Sequence, residues 1–311
     1  MLSLSNSFAL AFGLSMASSA GKSVMNRVLP SVLALLFATS AFGAGLAPAP
    51  AKPVEPAADQ FSWTGFYGGV NAGYGWTSSG IGTTGTNTFA TPGLNGNIGG
   101  AVASRATVND KTDGRDFSGG LQIGYNYQFP SRLVAGVETD FDGGGAKFTS
   151  SSQSLGTVPG AASPISSNSL ATWSTRLNYL GTLRGRLGYL PTSQLLVFAT
   201  GGLAYGGISS HANISETLGF SDVPGSFGTS GGVNVMRTGW TAGGGAEWAF
   251  LAHWSAKIEY LYYDLGKVGY NLPTFNQYGG FGTVLETTTA VRASAHTVGD
   301  VVRVGLNYHF D

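Results

Sequence analysis

Cysteine is absent from the 311-residue chain, which removes structural disulfides, thiolate metal sites and cysteine nucleophiles together. It also removes the lipidated cysteine of a bacterial lipoprotein, so any hold on a membrane has to come from the fold. Charge is scarce: Asp, Glu, Lys and Arg make up 10% of the residues, against about a quarter in ordinary soluble domains. The formal net charge is zero, so no basic excess is available to neutralise phosphates and nucleic acid is not an expected partner. Long apolar runs are missing as well. Beyond the N-terminal region none approaches the roughly 20 residues a spanning helix requires.

Glycine is plentiful, at 49 residues, and aromatic side chains make up 12%. The N-terminal region reads as an export address over residues 1–43, starting from Met1 or from an internal start at Met25. Arg27 supplies a positive charge, Val32 to Ala38 an apolar stretch, and Ala41-Phe42-Gly43 small residues at the −3 and −1 positions of a cleavage site. Residues 44–60 follow as an Ala/Pro-rich stretch, GLAPAPAKPVEPAADQ with its final flank, which favours an extended, solvated periplasmic linker.

From residue 61 to 310 the hydropathy alternates with period two, the mark of strands with unlike faces. In TVGDVVRVGLNYHFD, Val302, Val304, Leu306, Tyr308 and Phe310 share one face and Arg303, Gly305, Asn307 and His309 the other. Seven further segments divide in the same way: WTGFYGGVNAGYGW, SGGLQIGYNYQF, LVAGVETDFD, NYLGTLRGRLGY, LLVFATGGLAYGG, TGWTAGGGAEWAF and WSAKIEYLYYDLG. Each is about ten residues, the length a tilted strand needs to cross hydrocarbon, and aromatics gather at their ends as interfacial girdles do. Tight connections alternate with ones of about thirty or forty residues, matching short periplasmic turns and long external loops. The expected fold is all-β: an eight-stranded antiparallel up-and-down transmembrane β-barrel. Its apolar face meets lipid and its polar face lines the lumen.

These same segments, with the closing VRVGLNYHF, resemble the alphaproteobacterial outer-membrane immunogenic proteins of the opacity-type, porin-family barrels. The likeness runs in order through residues 61 to 310, with divergence confined to the loops. It implies residence in a Gram-negative outer membrane, surface-exposed antigenic loops and insertion by the barrel-assembly machinery. It also implies a terminal assembly signal, here Tyr308 and Phe310, although Asp311 follows where such barrels usually end on Phe. Some family members are linked to haem binding or envelope integrity.

The inward charges are Glu138, Asp140 and Asp142 on the third segment, Arg184 and Arg186 on the fourth, Glu247 on the sixth, Lys257 and Glu259 on the seventh, and Arg303 on the eighth. Eight strands leave an interior barely wide enough for side chains, and an unpaired buried charge is costly, so these residues are expected to pair into a polar plug. The alternative is a small porin-like or gated ion path through the same charges. No catalytic constellation, cofactor or metal site is expected. Gly80-Ile81-Gly82-Thr83-Thr84-Gly85 matches GxGxxG but sits in a Gly/Thr-rich loop with no following helix. His211, His253, His296 and His309 lack ligand spacing. His211 and His296 could meet among the external loops to touch haem or a metal. His309 falls at the periplasmic end with no Ser or acid expected beside it. The expected role is thus structural or surface-interacting, with lipid around the belt and an external ligand or host factor at the loops.

Overall fold

A computed structural model of the protein describes residues 61–89, 101, 103–145, 147–157, 166–219, 224–277 and 287–310. The export signal and Ala/Pro linker expected over residues 1–60, and Asp311, lie outside the described residues. Ten strands occur in the described residues: β1 (Gly65–Phe89), β2 (Val108–Gln128), β3 (Leu133–Gly143), β4 (Lys147–Thr157), β5 (Ser166–Tyr189), β6 (Leu195–Gly219), β7 (Pro224–Leu251), β8 (Trp254–Asn271), β9 (Phe275–Gln277) and β10 (Thr287–Phe310). All ladders are antiparallel, and β1 pairs with both β2 and β10, closing the sheet on itself. β4 continues β3 along the same neighbour β5, and β9 continues β8 along β10. The ten segments therefore occupy eight positions around the wall.

Three tight connections gather at the end that also carries Gly65 and Phe310. Between β2 and β3, the Phe129 amide donates to the Leu133 carbonyl (2.8 Å) and the Arg132 amide to the Phe129 carbonyl (3.2 Å). The other end holds the long excursions, and there the sequence-based expectation needs revision. Strands such as β1, with 25 residues, and β7, with 28, run far beyond the ten or so residues that cross hydrocarbon. Much of each expected loop is continued strand. Gly80 to Gly85, expected in a loop, lie in β1 with ladder partners on β10, and Gly80 to Gly82 pair with β2 as well. Ser, Thr, Asn and Gly differ too little in hydropathy to print a period, yet their backbones pair like any other.

Where the contrast is strong the faces divide as the period requires. Leu121, Leu187 and Val304 stand on the outer wall, with exposures of 68%, 61% and 57%, while Gln122, Arg186 and Arg303 are buried within. A β-bulge between Leu177 and Tyr179 of β5 inserts one residue and resets this parity. Even-numbered positions face inward on the short-turn side of it and odd-numbered ones beyond it. A second irregularity lies on β8 opposite His296 and Val298, at Gly266, whose φ of 70° suits glycine. On a third wall position the strand itself breaks at Gly144, between β3 and β4.

Three apolar layers cross the interior. Near the short turns, Trp63, Val134, Leu190, Leu196, Phe198 and Ala249 pack with Phe61. At the bulges lie Leu177, Leu180, Ala204, Ile208, Tyr263, Leu265 and Val301. Further out, Trp173, Ala212, Ile214, Leu272 and Val291 form the centre of a third layer.

Candidate functional site

Between the first two apolar layers the lumen is charged. The backbone pairings Glu138↔Arg184 and Arg303↔Glu259 place opposite charges side by side on neighbouring strands. Both pairs face inward, so the side chains meet across the lumen. Glu138 is a central acceptor. Lys257 Nζ donates to its two oxygens at 2.8 and 2.9 Å, Arg184 Nη2 to Oε1 at 2.5 Å, and the Tyr67 hydroxyl to Oε2 at 2.7 Å. Arg303 spans three carboxylates, through Nε to Glu259 (2.8 Å), Nη1 to Asp142 (2.9 Å) and Nη2 to Asp140 (2.6 Å). Arg184 also donates to Asp140 (2.8 Å) and Glu259 (2.7 Å). Arg186 donates to Glu247 and, at 3.1 Å, to the Tyr67 hydroxyl, and its guanidinium carbon lies 3.9 Å from the Phe198 ring centre.

Each of the nine charges singled out from the sequence therefore lies in one buried array. Five carboxylates meet three guanidinium groups and one lysine amine. Planar guanidinium forks suit such multiple contacts, because each can serve two or three carboxylates without reorienting. On the outer side of Asp142 a small cavity, with room for a water or two, is lined by Thr77, Asp116, Ser118, Leu180 and Tyr263.

Several contributors escaped the sequence reading. Tyr67 reaches inward beside Glu138 and fits because Gly124 faces it: a Cβ there would stand 2.4 Å from the phenol ring. The parity of β1 would have identified it, since Tyr67 shares a face with Gly69 and Asn71. Leu196 and Phe198 escaped because LLVF shows no alternation. Phe61 and Trp63 tuck into the short-turn end, where the Trp63 indole donates to the Ser193 carbonyl at 3.0 Å.

His309 requires a correction. It was expected to have no Ser or acid beside it, yet its Nε2 lies 2.9 Å from Ser255 Oγ and 3.5 Å from Glu247 Oε1. The register Asn307↔Ser255 brings the ends of β8 and β10 together, a cross-strand relation invisible along either segment. Ser255 donates to Glu247 at 2.6 Å, and acid and hydroxyl both approach the same imidazole nitrogen. A nucleophilic triad instead has the acid orient the opposite ring nitrogen. His211 and His296 were expected in loops. They lie on β6 and β10, three positions apart in the sheet order, and do not meet; His296 Nε2 is instead 2.9 Å from Asp264 Oδ1. At the terminus, Tyr308 packs edge-on to Phe310 and Trp254, and Phe310 is exposed on the outer wall.

The family profile of the outer membrane protein beta-barrel domain matches residues 37–310. The chain is similar to the 31 kDa outer-membrane immunogenic protein of Brucella melitensis, at 36% identity over 92% of this chain and 100% of that protein. It is also similar to the 25 kDa outer-membrane immunogenic protein of Brucella abortus, at 26% identity over 93% of this chain and 100% of that one. Among solved structures, the outer membrane protein OprG from Pseudomonas aeruginosa covers 81% of this chain and 99% of its own, at 13% identity and a TM-score of 0.33. A closed antiparallel wall, a greasy outer face, the family profile and the Brucella melitensis relative agree: the chain belongs to the outer-membrane β-barrel family and resides in the outer membrane.

Proposed function

We propose that the protein is a structural barrel that anchors and presents its extended outer strands at the cell surface, with a lumen closed to ions. The carrying observation is the pairing of nine interior charges between two apolar layers. Fixed ion pairs offer no mobile hydrated path, and the Phe61–Trp63 segment fills the short-turn mouth. In this reading residues 1–43 direct export, residues 44–60 link to the barrel, and Tyr308 and Phe310 serve the assembly machinery. The outer strands act as surface antigen and as the contact for an external ligand or host factor. The name shared by the Brucella relatives supports the antigen part.

Planar-bilayer recording of the refolded protein tests the closed lumen. The wild type should give no steady current. Steady single-channel current that changes in Glu138→Gln would replace this reading with the gated ion path.

A further inference from the structure

Three exposed cations stand in a row on the outside of the wall, immediately beyond an aromatic patch. Lys147 of β4 and Arg176 of β5 are direct ladder partners. Arg115 of β2 falls opposite Lys147. The β2–β3 ladder ends at Gly119↔Gly143 and β4 is laddered to β5 alone, but Phe148 packs on Gly114 so closely that a Cβ there would overlap its ring, which sets the neighbouring Arg115 beside Lys147. All three side chains are exposed, and among the described residues none makes an ion pair. Like charges directly across a ladder repel, and here a third cation adjoins the pair. Asp113, two residues from Arg115, accepts from Ser78 at 2.6 Å and is the acid on that face of β2 nearest the row.

The neighbourhood identifies the counter-charge. Phe117, on the same face as Arg115, is 77% exposed and packs on Tyr74 at 4.9 Å, and Phe141 stacks on Tyr179 at 5.3 Å. Exposed aromatics of this kind mark the headgroup level of a membrane barrel, so the cations stand where lipid phosphates lie. We propose that Arg115, Lys147 and Arg176 form a binding site for a phosphate-bearing lipid of the outer leaflet, whose acyl chains continue down over Phe117 and Phe141. The site rests on placing the short turns in the periplasm. Guanidinium forks and an ammonium spaced along one row supply charge-assisted hydrogen bonds to phosphate oxygens.

The test counts lipids retained by the refolded full chain in native mass spectrometry, with lipid A, a diphosphorylated glycolipid, as the probe. The wild type should retain it, and should retain its dephosphorylated form about tenfold less, a difference of the size one strong charged contact gives. R115Q/K147Q/R176Q should lose lipid A retention by at least about tenfold, while K267Q/R292Q, which removes two cations elsewhere on the outer strands, should match the wild type. Equal retention of both lipid forms by the wild type overturns the site without recourse to any variant. Equal loss in the two variants also overturns it, because general attraction would then suffice.

Discussion

The two halves of the barrel meet at the bulges near Leu177 and Gly266, and they are built on different principles. On the short-turn side the interior is ionic and the exterior apolar. Glu138, Arg184 and Arg303 occupy positions inside a wall whose outer face carries Leu121, Leu183 and Ile258. Beyond the bulges the interior is apolar and hydroxylic around Trp173, Ile214 and Thr175, with the acid Glu216 also buried there, and the exterior is mainly polar. The first half is inverted relative to a soluble protein because its solvent is lipid; the second is arranged as water demands. One continuous set of strands serves both, and only the solvent changes.

The ionic half should suffer most from the loss of a single side chain. Glu138→Ala leaves Lys257 and Arg184 without a main partner in a closed space, and should cost about 3–5 kcal/mol. The measurement is urea unfolding of the refolded barrel in lipid vesicles. A loss below about 1 kcal/mol would mean that water enters the lumen and screens those charges.

A second experiment sets one outer face against the other. Leu183→Arg puts a charge into hydrocarbon and should cost about 2–4 kcal/mol. Leu155→Arg, at a position 73% exposed on the outer half of the same wall, should change stability by less than about 0.5 kcal/mol. Equal costs at the two sites would erase the boundary drawn here.

The outer half carries its own pH dependence. Burial pushes the Glu216 carboxyl up to about 7, opposed by the nearby Ser169 hydroxyl and the charge of Arg105. Its folded pKa exceeds the unfolded value of about 4.3, so the folded state binds the proton more tightly. Stability of this half should fall as pH rises from about 4.3 to 7, by an amount on the order of 3 kcal/mol, with no penalty below that window. The protection of the amides of residues 208–217, their exchange rates taken relative to intrinsic exchange at the same pH, should therefore be lower at about pH 8 than at about pH 5, and Glu216→Gln should abolish that change in protection. The smallest effect is expected from R115Q/K147Q/R176Q in lipid-free detergent, within about 0.5 kcal/mol of wild type, because exposed charges contribute little to folding.

The same contrast explains what the sequence made legible. Side-chain faces could be read wherever Leu, Val or Tyr alternates with Asn, Gln or Arg, as in SGGLQIGYNYQF, because lipid and lumen impose opposite demands. The run GIGTTGTNTF carries no such opposition, so the outer part of β1 read as loop. The nine interior charges were identifiable one by one from parity. Their partners were not: that Arg303 holds Asp140, 163 positions away, depends on how the sheet closes. Phe61 and Trp63 precede the first strand, where no period exists to announce that they turn back into the mouth.

The bulge at Leu177 has a consequence for how such a protein changes over time. Because it shifts the inside–outside parity of β5, the spacing of outward positions beyond it is decoupled from the spacing below. A lengthened or rewritten outer strand can restart its own pattern there without moving Arg184 or Arg186 off the lumen. The junction thus works as a splice point: below it lies a chassis whose parity is fixed by the ionic lumen, above it an interchangeable head. Grafting a foreign surface segment outward of Leu177 should be tolerated where the same graft below it would scramble the ionic core.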